Sequence, residues 1–298
     1  MDQHLKVFVT VVEKRNFSRA GEELHMTQPA VTQYIKIFER EIGTRLLERS
    51  NKYVRLTQAG EIVYHYANEI LGVYKKMQRL VDDAINHTNG PITIASSYTF
   101  GEYVLPKIMA DVITEYPDLH PSVVIGNSKE VANLVLNHQA EVGLIEGEYE
   151  NQALTIESFD QDEMYIVTSS NHPLQQKQAV SMREISESCW LVRERGSGTR
   201  SAIEKMLLEN NIQPTKKLEL GSTQLIKESI CTGLGISMIS KWAIREELAN
   251  EKMKILQVKG FPYKRNFSIV TQSPYQTKAV ATFIEKVKNS KWKLTNET

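Results

Sequence analysis

The stretch SRAGEELHMTQPAVTQYIKIFEREIGTRLLERSNKYVRLTQAG, residues 18–60, decides how the chain begins. Its centre, Gln28–Glu39, reads as a helix opened by Thr27, whose hydroxyl can accept from an otherwise unpaired amide. Pro29 falls in the first turn, where a missing N–H costs little. Val31, Ile35, Phe38 and Ile42 recur at helical spacing and make one apolar stripe. Pro29, Thr32, Gln33 and Lys36 lie on the other side, with no bulky aliphatic among them. A helix that packs by one face and offers Thr, Gln and Lys on the other suits a major groove. Thr and Gln read base edges there, and Lys neutralises phosphate. A shorter helix, Ser18 to Leu24, precedes it across the turn His25–Thr27, which is helix–turn–helix spacing. The competing reading is an ordinary helical hairpin whose polar face is merely solvated.

The flanks favour nucleic acid. Arg45, Arg49, Lys52 and Arg55 surround the alternating Tyr53–Val54–Arg55–Leu56 stretch, a pattern that reads as a small β-wing with cations placed towards phosphates. Residues 1–60 hold ten Lys and Arg against seven Asp and Glu, net +3, on a chain whose total is zero. That excess fits sequence-selective binding assisted by charge better than a nonspecific polybasic arm.

With its preceding Phe17, the same stretch resembles the winged helix–turn–helix of the LysR-type transcriptional regulators. Their pattern has a Phe-Ser/Thr-x-Ala-Ala start, then Ser/Thr-Gln-Pro-Ala/Ser-Val-Ser, Ile-x-x-Leu-Glu, Leu-Gly, Leu-Phe-x-Arg and Leu-Thr-x-x-Gly. Gly21, Phe38 and Leu47 stand where that pattern has Ala, Leu and Phe, all at packing positions rather than on the reading face. The resemblance implies that Gln28, Pro29, Thr32 and Gln33 reach base edges or the groove. It assigns phosphates to Ser18, Arg19, Lys36, Lys52 and Arg55.

Composition sets the outer bounds. A chain of 298 residues has room for two or three domains with cores of their own. Leu5, Phe8, Val9 and Val12 give the N-terminus helical period, so it reads as structure and not as a signal peptide. No apolar run reaches the length a membrane helix needs, and a cytoplasmic location is expected. Cys189 and Cys231, each beside apolar residues, read as two buried free thiols, with a redox pair as the weaker alternative. The seven histidines lack ligand spacing, so no metal or cofactor is indicated.

After the wing, Tyr66, Ile70, Val73, Met77, Leu80 and Ala84 repeat at alternating spacings of four and three. Gly72 costs this helix about 1 kcal/mol relative to Ala. The DNA module is small and the His87–Pro91 segment (HTNGP) breaks the helix, so the stripe has little of its own chain to cover it. A second copy of the chain is the economical partner. The resemblance implies the same, with two subunits meeting an interrupted palindromic operator as a homodimer or homotetramer, and RNA polymerase as a further partner.

Beyond Pro91 strands and helices alternate. Ile92–Ala95, Ser122–Ile125 and Glu141–Ile145 read as strands, and Leu105–Glu115 and Glu130–Asn137 as helices. A second set follows, with strands Asp162–Ser169, Trp190–Val192, Lys217–Leu220, Ile236–Ile239 and Asn266–Thr271. Its helices are Thr199–Asn210, Thr223–Thr232 and Thr277–Lys288. This order predicts a largely parallel sheet with helices on both faces. The resemblance divides the chain into a DNA-binding domain (1–60), a linker helix (61–90) and an effector domain (91–298). The effector domain is an α/β fold like the type 2 periplasmic binding proteins. One of its lobes is 91–161 with 268–298, and the other is 162–267.

Four corners at strand ends place hydroxyls and free amides at helix starts: Ser97–Thr99, Asn127-Ser128, the segment Arg193–Arg200, and Ser222-Thr223. Such corners attract a carboxylate- or sulfate-sized anion. Simple capping explains each Ser or Thr taken alone. Their convergence where open α/β sheets bind ligands is the stronger signal. By position the resemblance assigns a small-molecule effector to Ser97, Thr99, Ser128, Ser197, Gly198, Thr199 and Thr223. Arg193 and Arg195 are either counter-charges or exposed arginines. ERGSGTR and Gly126-Asn127-Ser128 resemble the branch that includes regulators of sulfur assimilation and carbon fixation.

Enzyme readings fail on their motifs. Gly196-Ser197-Gly198 is not a nucleophile elbow, Gly233-x-Gly235 follows a helix rather than a strand, and no phosphate loop occurs. A ligand-gated regulator and a constitutive architectural DNA binder remain. About 200 residues of ligand-binding fold favour the regulator. Whether it activates or represses depends on operator placement.

Overall fold

The computed structural model describes residues 2–49, 53–85, 90–272 and 275–290. Lys52, His87–Asn89 and the side chains of Arg49 and Ala84 lie outside the described residues. The chain forms two compact units, one of residues 1–85 and the other of most of 86–298.

The first unit runs α1 (Asp2–Lys14), α2 (Phe17–Glu23), α3 (Gln28–Ile42), β1 (Leu47–Arg49), β2 (Val54–Leu56) and α4 (Gln58–Ile85). Asn16 caps α2, its side chain accepting from the Ser18 and Arg19 amides at 2.8 and 3.0 Å. Val7, Phe8 and Val11 of α1 meet Ala20, Val31, Ile35, Phe38, Leu46 and Ala67 in one core. Ile42 departs from the expected stripe and is 45% exposed. It is the last residue of α3, next to Gly43, which ends the helix at φ +85°. The helix thus runs one residue triplet beyond Glu39 while its burial stops at Phe38.

Three motif positions acquire physical reasons here. Glu39 Oε1 accepts from the Leu46 and Leu47 amides at 3.0 and 3.2 Å, pinning the start of the wing to α3. The Thr57 hydroxyl donates to the Arg45 carbonyl at 2.9 Å and accepts from the Gly60 amide at 2.9 Å. A Cβ at Gly60 would stand 2.0 Å from the Leu46 oxygen, so only glycine lets α4 begin this close to the wing.

The second unit opens with β3 (Pro91–Ser97), α5 (Tyr98–Tyr103), α6 (Leu105–Glu115), β4 (His120–Gly126), α7 (Ser128–Leu136) and β5 (Val142–Glu146). Then come β6 (Thr155–Ser169), α8 (Met182–Glu187), β7 (Cys189–Val192), α9 (Gly198–Glu209), β8 (Lys216–Glu219), α10 (Thr223–Cys231) and β9 (Ser237–Ser240). The last elements are α11 (Arg245–Ala249), β10 (Met253–Ile255), β11 (Tyr263–Thr271) and α12 (Lys278–Asn289).

The sheet is mixed, not largely parallel. β3 runs parallel to β4 and β5, but β11 is antiparallel to both β5 and β6, and β9 and β10 are antiparallel to β6. The reason is β6, which at 15 residues is long enough to serve both lobes. β11 returns beside it from Tyr263↔Met164 to Thr271↔Thr155, with a bulge between Phe267 and Ser268.

Alternating residues feed opposite faces of the sheet. In the first lobe Ile94, Leu144 and Ile269 pack with α6 and α12, while Ala95, Ile145 and Val270 pack with α7. In the second, Ile166 and Met238 pack with α9, and Val167 and Ile239 with α10. Both cysteines are free thiols and half-buried.

Candidate functional sites

The first site is the outer face of α3 with the wing. Thr27 caps the helix through Ala30 N, and Val31, Ile35 and Phe38 are buried beneath it. Gln28, Pro29, Gln33 and Lys36 are exposed and Thr32 is half-buried, so the short and polar side faces outward. The Gln28 side-chain amide donates to the Thr32 hydroxyl at 3.0 Å, joining the first and fifth residues of the helix. Ser18 and Arg19 are exposed at the start of α2. On the antiparallel wing Arg55 is exposed, its guanidinium 4.8 Å from the centre of the Tyr53 ring. A helix whose outer side is short and polar, beside a wing that exposes Arg55, suits the edges and phosphate rim of a major groove.

The helix α4 carries the predicted stripe outward. Tyr66 is 57% exposed, and Ile70, Val73 and Met77 are about half exposed, joined by Ile62, Tyr74 and Val81. Leu80 is half-buried.

The second site lies between the lobes, and its centre is Glu146, the last residue of β5, only 2% exposed. Ser97 at the end of β3 donates its hydroxyl to Glu146 Oε2 at 3.0 Å. Thr99 donates to Glu146 Oε1, also at 3.0 Å. Ser128 donates to the Glu146 backbone carbonyl at 3.0 Å. From the second lobe Gly198 approaches so closely that a Cβ would fall 1.9 Å from that same carbonyl.

Arg265 of β11 ties these groups together. Its Nη2 donates to Thr99 Oγ1 at 3.2 Å and its Nη1 to Thr199 Oγ1 at 3.0 Å, one hydroxyl from each lobe. Its Nε donates to Asp162 Oδ2 at 2.8 Å, and its Nη1 lies 3.6 Å from Glu146 Oε1. Ser240 donates to the other Asp162 oxygen at 2.7 Å. Burial pushes the Asp162 carboxyl above its usual range, against the opposing pull of Arg265 and Ser240.

A second cluster flanks the first. Arg193, 1% exposed, donates Nη1 to Thr223 Oγ1 at 2.9 Å. It grips both oxygens of Glu194 at 2.8 Å, and its guanidinium sits 4.5 Å from the centre of the Tyr98 ring. Lys227 donates to the Ala243 carbonyl at 2.9 Å, pairs with Glu247 at 2.7 Å and lies 5.2 Å from the Tyr103 ring centre. Burial lowers the Lys227 pKa, but the hydrogen bond and charge of Glu247 and the adjacent Tyr103 more than offset it, leaving the ammonium raised.

Capping and clustering can now be told apart residue by residue. Ser197 is a cap, accepting from Arg200 N at 3.4 Å. At the second strand the cap is Asn127, which exchanges bonds with Glu130 at 3.0 and 2.8 Å, and not Ser128. Ser97 occupies an N-cap position without capping, because its hydroxyl turns to Glu146. Thr99, Ser128 and Gly198 join it around Glu146, and Thr199 reaches the same cluster through Arg265. Thr223 belongs with Arg193 instead. The expectation of exposed arginines fails for Arg193, which is buried, and holds for Arg195. No sequence motif marks Glu146, Asp162 or Arg265 as site residues, although Asp162 opens a predicted strand.

The comparisons agree with both units. Residues 3–61 match the bacterial regulatory helix-turn-helix protein, lysR family, and residues 86–291 match the LysR substrate binding domain. The HTH-type transcriptional regulator CysL of Bacillus subtilis is 36% identical, covering 96% of this chain and 96% of that protein. A RuBisCO operon transcriptional regulator of Allochromatium vinosum is 29% identical over 90% of this chain and 88% of its own length. Among solved structures, full-length CbnR complexed with its target DNA covers 97% of this chain and 99% of its own at TM-score 0.71 and 19% identity. The regulatory domain of Synechocystis CcmR in complex with 2-PG covers 70% of this chain and 99% of its own at TM-score 0.62 and 24% identity. A winged helix–turn–helix followed by a two-lobed α/β unit, with these relatives over nearly the whole length, leaves one conclusion: the chain belongs to the LysR family of DNA-binding transcriptional regulators.

Proposed function

We propose that this regulator acts in the cytoplasm as a homo-oligomer whose operator binding is set by a small anionic metabolite held between the two α/β lobes. The observation that carries the reading is the convergence of Ser97, Thr99, Ser128, Gly198 and Thr199, from both lobes, on one buried polar cluster. In a sheet of this topology that place is the crevice at the carboxyl ends of the strands. The 2-PG complex of the CcmR domain, a fold of the same kind, points to the same class of ligand.

On the DNA side, Gln28, Pro29, Thr32 and Gln33 face base edges or the groove, while Ser18, Arg19, Lys36, Lys52 and Arg55 contact phosphate. The exposed stripe of α4 at Tyr66, Ile70, Val73 and Met77 pairs two subunits, with Leu80 and Ala84 as the next positions of the same repeat. A patch of this size is costly to leave in water and is self-complementary when related by a twofold axis. The domain limits on this reading are 1–60, 61–90 and 91–298, and α4 starts inside the first of them, at Gln58. An anion that bridges the lobes moves the equilibrium between their arrangements only through its differential affinity for the two. A thermal-shift screen of small carboxylates, phosphates and sulfate on the full chain tests this. A saturable rise in Tm with one class is expected, since a ligand that binds only the folded form must stabilise it. No response to any small anion would remove the reading.

A further inference from the structure

We propose that the Ser97–Thr99 corner is a carboxylate subsite that the chain fills with its own Glu146, so that a ligand engages by exchanging its carboxylate for this internal one. The proposal rests on the reading of the interlobe cleft as the ligand site and says how that site selects. Three observations carry it.

The first is geometric. Ser97 addresses Oε2 and Thr99 addresses Oε1, each at 3.0 Å. One hydroxyl donor per oxygen is a fork that the two oxygens of a carboxylate fill. The Ser97 hydroxyl forgoes the helix cap open to it in order to make this bond.

The second is electrostatic. Two carboxylates, Glu146 and Asp162, share one buried guanidinium. Asp162 holds its closest contacts, at 2.8 Å, while Glu146 stands off at 3.6 Å. Glu146 can therefore leave without stripping Arg265 of its counter-ion. A buried carboxylate held mainly by hydroxyls is the replaceable member of this group.

The third is connectivity. Thr99 also accepts from Arg265, which bonds Thr199 of the second lobe. Whatever sits between Ser97 and Thr99 is thereby linked to the junction of the lobes. Glu146 then acts as an intramolecular competitor: it keeps the hydroxyls satisfied without ligand and lowers the affinity for any anion that does not offer an equivalent group.

The test is chemical rescue. Thermal melts of full-length Glu146→Ala are recorded with sodium acetate, and with sodium chloride and sodium sulfate at matched ionic strength. Acetate should raise the Tm of Glu146→Ala saturably and leave the wild type little changed, with sulfate no better than chloride. An acetate response no larger than that of the wild type, or equal rescue by sulfate, would overturn the proposal.

Glu146→Gln, which keeps the shape, guards against a variant that does not fold. A carboxylate that stabilises the wild type should bind Glu146→Gln about tenfold more tightly, roughly 1.4 kcal/mol. Should such a ligand bind the wild type and neither variant more tightly, the exchange fails while the ligand-gated reading survives. Should no small anion stabilise wild type or variants, both fall. Acetate rescue of Glu146→Ala with no anion response in the wild type supports occupancy of the corner by Glu146 and overturns its exchange with a ligand, together with the ligand-gated reading.

Discussion

The DNA-reading face and the crevice between the lobes both use polar and basic side chains, in opposite environments. Gln33, Lys36 and Arg55 stand in solvent, whereas Thr99, Thr199 and Arg265 are buried and bonded to one another. An exposed polar group contributes little to folding, so its substitution changes recognition alone. A buried polar group that loses its partner is left desolvated, so its substitution changes folding and recognition together. Stability and function are separable at the first site and coupled at the second.

The largest contrast is expected from the arginines. Arg265→Ala leaves Asp162 and Glu146 buried without their cation and should destabilise the second unit by about 3–5 kcal/mol in urea unfolding. Arg55→Ala should stay within roughly 0.5 kcal/mol of wild type. Equal effects would dissolve the distinction.

Next comes Gly198→Ala. Its methyl group meets the Glu146 carbonyl at 1.9 Å, and relief requires α9 to withdraw from the first lobe. The expected cost is about 1–3 kcal/mol, with weakened response to ligand and near-normal operator affinity. On the exposed side, Gln33→Ala should lose about 1–3 kcal/mol of discrimination between operator and altered-base sites, with an unchanged Tm. Equal weakening on every sequence would make Gln33 a backbone contact.

The smallest effect is in pH dependence. Burial raises the folded-state pKa of Asp162, so the folded chain binds this proton more tightly than the unfolded chain. The resulting stability is complete below the unfolded carboxyl value near 3.8 and is lost as pH rises through the raised value. Asp162→Asn lacks this loss, so its Tm relative to wild type should climb as pH increases from 4 upward. A constant difference across that range would mean that Asp162 does not titrate as described.

Legibility followed how local each signal is. Thr27, Pro29 and the stripe Val31–Ile35–Phe38 lie within a dozen residues, so α3 and its outward face could be read directly. Ile42 shares the stripe's period but not its burial, because periodicity does not say where a partner surface ends. The mixed sheet was hidden since β6 and β11 acquire their antiparallel pairing from residues about a hundred positions apart.

The cluster around Glu146 was half visible. Its hydroxyls are legible as helix-start residues, while its charges, Glu146, Asp162 and Arg265, lie in no motif. A signal did exist in the alternation. Arg265 shares a strand face with the core residue Phe267, and Asp162 shares one with Met164. They are register partners across β6 and β11, which is how two inward charges of opposite sign come to meet. The short helix α8 was missed although Ser181 and Glu184 form a capping box at its start.

Regulation by this chain requires coupling between the crevice and the DNA-reading face. DNase I footprinting of the full-length chain on the DNA upstream of its own gene, at fixed salt, measures that coupling most directly. With the anion that most raises its Tm, the protected span or the hypersensitive sites marking a bend should change. An identical footprint with and without a ligand proven to bind would contradict it.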